Sequence, residues 1–303
     1  MKSKRADPSC PTIRELPQRG ENLIRFQWPF ATWRRMIRVN VASAIVEAAE
    51  LELRRPVSSL RPYLGCFWSI ATTTGTHLRT LPDACTTVAV ECRQGQRPQS
   101  FLAGPRLTPA DRAPGAGHLL FGVRLQPGVA FALTRRPVHQ IVDRRTLLAE
   151  MLPDDVSQME RRLASTARTT ERFDILEEFL FQRLDGVQVD PRVAKALMQV
   201  EQCSGQLRAT QLATHCQVSS RHLNRLLRTW LGFSAKRLAR ITRFQALLQR
   251  VEDSRSGGLA QLAVELGYYD QPHLINEVAQ FAALSLGRIA GRGMADFSNT
   301  RCV

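Results

Sequence analysis

LRATQLATHCQVSSRHLNRLLRTWLG, residues 207–232, is the pattern of two short helices joined by a tight turn. Leu207, Leu212 and Ala213 share one apolar face, and Ala213 is small where two helices must approach closely. Cys216-Gln217-Val218 makes the turn, and Ser219 is placed to cap a second helix. That helix turns Leu223, Leu226 and Leu227 inward and Ser220, Arg221, Asn224, Arg225 and Arg228 outward. A recognition helix needs this division: one stripe anchors it, the other offers long polar side chains to the major groove. Arginine pairs bidentately with guanine and asparagine with adenine, each pair discriminating by about 1–3 kcal/mol. The plainer reading is a helical hairpin with a solvated basic face, and the charge pattern counts against it. Residues 202–251 contain no Asp or Glu, yet hold Arg208, Arg221, Arg225, Arg228, Lys236, Arg237, Arg240, Arg243 and Arg250. One-signed charge repels itself and forgoes i,i+4 pairing, so it makes most sense opposite phosphates.

Downstream, Ser234 caps an expected helix to about residue 251, with Leu238, Ile241, Leu247 and Leu248 on its core face. Arg237, Arg240 and Arg243 on this rod are expected to reach backbone phosphates. A helix of some seventeen residues is about 25 Å long, suited to holding two recognition helices roughly one DNA turn apart. Gly257-Gly258 breaks it, and a second helix-turn-helix pattern follows over residues 259–288. Leu262, Ala263 and Leu266 repeat the packing helix, Gly267 the turn, and Asp270 with Pro272 the helix start. Gln271, His273 and Asn276 face outward; Leu274, Val278 and Phe281 face inward.

The pair of units resembles the DNA-binding domain of the AraC family of transcriptional regulators. The matching positions are Leu212-Ala213, Ser219, Leu223, Arg225, Gly232-Phe233-Ser234, Arg243, Ala246 and Leu248, then Leu262-Ala263, Gly267-Tyr268, Asp270 and Leu274. The resemblance implies base contacts from Arg221, Asn224 and Arg225 in the first unit and from Gln271, His273 and Asn276 in the second. This sequence departs from the family at Asn276, usually basic, Val278, usually Phe, Ala283, usually Gly, and Leu286, usually Pro. Glu265, Asp270 and Glu277 outweigh Arg288 around the second unit, so the first unit is expected to supply most of the affinity.

Upstream the texture changes. Residues 64–70, 86–91, 99–103, 118–125 and 128–131 are short apolar runs punctuated by Gly and Pro, the pattern of strands. Helical periodicity returns over residues 145–184, ending at Asp185-Gly186; Asp190 caps the next helix and Pro191 fits its first turn. Residues 33–53 can be written as a helix. The expected fold class is α+β: an N-terminal extension (1–55, partly disordered), a β-rich sensor or dimerisation domain (56–186), and an all-α domain of two helix-turn-helix units and a spacer (187–303). The middle segment also resembles an N-terminal domain of one AraC-type subgroup, on Leu60-Arg61-Pro62-Tyr63, Trp68, Leu81-Pro82-Asp83, Leu102-Ala103-Gly104-Pro105, Phe121-Gly122-Val123-Arg124-Leu125 and Pro127-Gly128. In the wider family such domains are cupin-like barrels that sense small molecules or mediate dimerisation. Trp68, Phe121 and Phe131 are read as core before ligand pocket, and Asp83 as a turn residue.

A net charge of +15 over 303 residues favours a polyanionic partner, nucleic acid before membrane, although an arginine-rich coding bias gives the same bulk figure. No secretory pattern or run of some 18 apolar residues is present, so a cytoplasmic protein without a membrane partner is expected. The seven cysteines form no C-x-x-C or zinc-type cluster, and His77, His118 and His139 are isolated, so no metal or cofactor is expected. Phosphate-loop, G-x-S-x-G and H-E-x-x-H motifs are missing, and no enzyme is expected. Two other readings stand beside this one: an alkyl-transfer DNA-repair enzyme fused to such a helical domain, and a basic protein-interaction adaptor. The partners expected are duplex DNA, a small-molecule effector, a second copy of the chain, and RNA polymerase if the protein activates.

Overall fold

A computed structural model describes residues 44–252 and 259–285. Its N-terminal part is one antiparallel sheet of β1 (Ala44–Arg54), β2 (Leu64–Thr80), β3 (Thr86–Cys92), β4 (Gln99–Ala103), β5 (Ala110–Arg112), β6 (Leu119–Leu125) and β7 (Arg145–Leu147). The order is β1-β2-β6-β3-β4-β7, with β5 pairing the far end of β2, and among the described residues the path ends at β1 and β7. Side chains alternate across the sheet. Phe67, Val88, Val90, Leu102, Phe121 and Val123 pack on one face against α3 (Val156–Ala164) and α4 (Thr169–Leu184). Cys66, Trp68, Ile70, Leu78 and Leu120 form a smaller cluster on the other face.

Three expectations are corrected here: the stretch expected to turn helical at residue 145 opens instead with strand β7, which pairs β4, and its helices start at Leu148. The described part of the 33–53 helix, from residue 44, is strand β1, paired with β2 from Ala44↔Thr80 to Arg54↔Phe67. Its signal was the two-residue alternation of Leu51 and Leu53 with Glu50 and Glu52, which puts both leucines against the Trp68 cluster. Residues 33–43 lie outside the described part. The run 128–131 is not a strand: Gly128, at φ 89°, starts helix α1 (Val129–Thr134). The other four runs are strands, and β2 continues ten residues beyond the expected end at residue 70.

After the short α2 (Leu148–Met151), α3 and α4, the regular elements among the described residues are all helices: α5 (Pro191–Gln202), α6 (Ala209–His215), α7 (Ser220–Leu231), α8 (Ala235–Glu252), α9 (Leu259–Glu265) and α10 (Gln271–Ala282). Asp190 caps α5 by accepting from the Arg192 N–H, with Pro191 in its first turn. One core unites these helices, with Leu197, Leu212, Leu223, Leu227, Leu238, Phe244, Leu247 and Phe281 at its centre.

The two parts are docked. Leu81 of the sheet domain is buried in the helical core, and Gln245 Nε2 donates to the Pro82 carbonyl at 2.6 Å. Arg237 donates to the Leu107 carbonyl, and Phe131 of α1 meets Trp230 of α7 with ring centroids 4.6 Å apart. Gly232 is needed at the join: it holds φ +92°, and a Cβ there would stand 2.4 Å from Val142 Cγ2.

Candidate nucleic-acid interface

The first helix pair forms as its sequence directs. Leu212 and Ala213 of α6 pack against the inner stripe of α7, where Leu223 and Leu227 are buried and Leu226 is half-buried. The turn is Cys216-Gln217-Val218, with Gln217 at φ 55°, and the Ser219 hydroxyl accepts from the His222 N–H at 3.2 Å. The outer face of α7 carries Arg221, Arg225 and Arg228, all exposed. Among the described residues the guanidinium groups of Arg221 and Arg228 meet no hydrogen-bond partner, and that of Arg225 has only His222 Nδ1 at 3.5 Å. These side chains, with Ser219, His139 and Lys236, line an open groove of about 990 Å³. Ser220 is half-buried at the first position of the helix. Sequence reasoning did not find His139, which the 138–140 turn of the sheet domain brings beside α7. No local pattern marks it, because the contact is made across the two domains.

Four expected contact residues are occupied within the protein. Asn224 Oδ1 accepts from the N–H of buried Ala235 at 3.0 Å, and its Nδ2 donates to the Ser220 carbonyl at 2.9 Å. Asn224 therefore ties α7 to the start of α8. Arg240 donates from Nε to Glu277 at 2.7 Å and also bonds Gln280, its guanidinium lying 5.0 Å from the Phe281 ring. Arg243 donates to the carbonyls of Gly205 at 3.0 Å and Gly267 at 3.2 Å, fastening two turns to α8. Gly205 accepts this closeness because it has no Cβ, which would sit 2.1 Å from the Ala239 carbonyl oxygen. Arg237 is committed too, through Leu107. The spacer helix thus uses its arginines to hold the module together.

The second helix pair repeats the geometry with different chemistry. Asp270 caps α10 by accepting from the His273 N–H at 2.7 Å, and Leu274, Val278 and Phe281 are buried. His273 and Asn276 are exposed and Gln271 half-exposed, so all three lie on the outer side. His273 Nδ1 accepts weakly from the Tyr269 N–H at 3.3 Å, and its ring meets Tyr268 edge-on. Residues 259–285 include Glu265, Asp270 and Glu277 and no Lys or Arg. Arg288 and Leu286 lie outside the described residues. Ala283, φ 51°, closes α10 in the left-handed conformation.

Between the domains, Asp83, Cys85, Arg124, Glu201 and Gln245 line a cavity of about 40 Å³. Asp83 is buried, pairs with Arg124 at 2.5 Å and accepts from the Cys85 N–H, so it is a structural ion pair as well as a turn residue. Glu201 Oε1 is buried without a hydrogen-bond partner, and burial pushes this carboxyl up to about 8. Burial also raises the thiol of Cys85, to about 11, and those of Cys92 and Cys216. Phe121 is core, Trp68 belongs to the smaller cluster, and Phe131 is an interdomain contact. Among the described residues no helix is long and apolar enough to cross a membrane.

The fold and face together define a sheet domain docked on a paired-helix module with a cationic outer surface. Residues 53–146 match a family model described as a domain of unknown function, DUF6597. Among solved structures the chain is similar to an apo variant of ToxT from Vibrio cholerae, at 9% identity and a TM-score of 0.40, covering 82% of this chain and 97% of that one. It is also similar to ToxT from Vibrio cholerae O395 (7% identity, TM-score 0.39, 82% and 98% covered) and to fatty-acid-bound ToxT (9%, 0.35, 78% and 92%). No curated protein matches the chain.

Proposed function

We propose that this chain is a sequence-specific transcription regulator of the AraC type that grips duplex DNA chiefly through α6 and α7. The observation that carries the reading is the outer face of α7, where Arg221, Arg225 and Arg228 stand exposed in a stretch without a single carboxylate. Free guanidinium groups on a capped, well-anchored helix are what bidentate guanine recognition and phosphate contact require. The second helix pair trims specificity through Gln271, His273 and Asn276 and adds little affinity, because its described residues, 259–285, carry three carboxylates and no Lys or Arg to offer phosphates. The sheet domain is the sensing or dimerising part, and its contacts at Phe131, His139 and Val142 reach the end of α7 directly. The protein is not an enzyme in this reading: an alkyl-accepting cysteine needs a stabilised thiolate, whereas burial disfavours the thiolates of Cys85, Cys92 and Cys216.

The test is fluorescence anisotropy with duplex DNA across a salt series. Arg221, Arg225, Arg228 and Lys236 give a log–log slope of roughly −3 to −4. Arg225→Ala flattens the slope by about one unit, while Asn276→Ala leaves it unchanged. Salt-independent binding, or a larger loss from Asn276→Ala than from Arg225→Ala, refutes the reading.

A further inference from the structure

A second cluster of cations sits in the sheet domain, and DNA binding makes no use of it. Its centre is Glu91 near the end of β3, a carboxylate whose side chain is only 5% exposed. Arg93, two residues on along the same face, donates from Nε to Glu91 Oε1 at 3.0 Å. Arg112 closes β5 and reaches Oε2 at 2.7 Å; Arg145 opens β7 and reaches Oε2 at 3.4 Å. His118, just ahead of β6, places Nδ1 3.8 Å from Oε1, and that nitrogen is buried without a hydrogen-bond partner. Phe101 supports Arg145 from one side, the guanidinium centre 4.0 Å from the ring centroid.

The charges do not balance. Three guanidinium groups surround one carboxylate, leaving two positive charges in excess. One bidentate arginine satisfies a buried carboxylate, and each further arginine adds like-charge repulsion. Burial would raise the Glu91 carboxyl, yet hydrogen bonds from and the charges of Arg112 and Arg93 hold it down at about 2. Arg145 bears the crowding: burial and then the charge of Arg112 push it below the ordinary arginine range, despite Glu91 beside it. Asp111, next to Arg112 in sequence, is turned toward Arg79 at 2.6 Å. The three arginine side chains remain 35–46% exposed, so unused N–H edges face solvent.

We propose that Arg93, Arg112 and Arg145 form a binding site for a doubly charged oxyanion, the phosphate or dicarboxylate group of a small molecule, with Glu91 as the fixed post that orients them. Four separate segments converge on the site, and a divalent anion there restores neutrality. Arginine forks suit both phosphate and carboxylate oxygens, and His118 Nδ1 lies within the same cluster. The inference needs only the sheet domain and does not rest on the DNA-binding reading.

The experiment uses the full chain carrying Arg221→Ala and Arg225→Ala, so that the α7 face does not compete. Calorimetric titration with sodium phosphate and with sodium malonate, against sodium chloride at equal ionic strength, is expected to show saturable binding of one divalent anion per chain. Preference for phosphate identifies a phosphoryl group and preference for malonate a dicarboxylate; both support the site. Adding Arg93→Gln or, separately, Arg112→Gln is expected to weaken that binding at least tenfold with the melting temperature unchanged. Hydrogen exchange is expected to slow in β3, β5 and β7 when the anion binds. Absence of saturable binding by either anion, or parental affinity in both glutamine variants, overturns the proposal.

Discussion

Replacing Asn224 with alanine separates a structural role from a base-reading one. The Asn224 carboxamide accepts from the N–H of Ala235, the first residue of α8 and only 1% exposed. Alanine leaves that donor buried without a partner, which costs about 1–3 kcal/mol. The bond to the Ser220 carbonyl is lost as well, but that oxygen belongs to the first residue of α7 and keeps the acceptor role of the helix's own i+4 bond. The loss is therefore expected near 2 kcal/mol on that scale, measured by urea unfolding followed through the fluorescence of Trp230, which packs on Phe131 at the domain junction. Arg225→Ala is the control: the side chain is exposed with one long contact, so stability changes by less than about 0.5 kcal/mol while DNA affinity falls. Under conditions where both variants are folded, Asn224→Ala is expected to select the same DNA sequence as the parent. Wild-type stability together with altered preference at one base would show that Asn224 releases its internal bonds to read DNA, and the reasoning would fail.

Arg240→Ala strips the counter-charge from Glu277, whose side chain is 4% exposed, and is expected to cost about 3 kcal/mol. Hydrogen exchange should show the loss concentrated in α9 and α10. Ala283→Gly relieves a left-handed C-cap and is expected to stabilise by about 0.5–1 kcal/mol, read as a raised urea midpoint; no gain would mean the φ of 51° carries no strain. Glu201 has a folded-state value of about 8 against an ordinary 4.5, so its neutral form is favoured on folding and its contribution fades as pH rises through that window. Asp83, Cys85 and Arg124 face the same cavity. Glu201→Gln should flatten the stability–pH curve between 4.5 and 8 and be the more stable protein at the upper end, by a difference on the order of 5 kcal/mol at most. Identical pH profiles would show that Glu201 is solvated in the folded state.

Much of the helical module was legible because its signals are local. Ser219, Asp190 and Asp270 cap the helices their positions in sequence mark, and the inward stripes of α7 and α10 follow from three- and four-residue spacing. The outer arginines of the spacer were a harder case. Spacing puts Arg240 and Arg243 on the surface of α8, but their partners Glu277, Gly205 and Gly267 come from other turns, and no local pattern names them. Asn224 was misleading for the same reason: outward placement on α7 did not reveal that α8 begins beside it. In the sheet domain, dense apolar residues before position 54 resembled a helix because periodicity is ambiguous in short apolar runs, and only long-range pairing with β2 decides for a strand. The Glu91 cluster was invisible, since its arginines stand far apart in sequence and meet only when β3, β5 and β7 assemble.

The most direct test of the central claim is selection of bound sequences from a random duplex pool at near-physiological salt, with the parent and the Arg221→Ala, Arg225→Ala and Asn276→Ala variants in parallel. The account predicts a short, strongly selected element that is lost with Arg221 or Arg225 and persists in Asn276→Ala, with at most a weaker element about one DNA turn away. Recovery of no motif at all, or of a motif untouched by either arginine substitution, would contradict it.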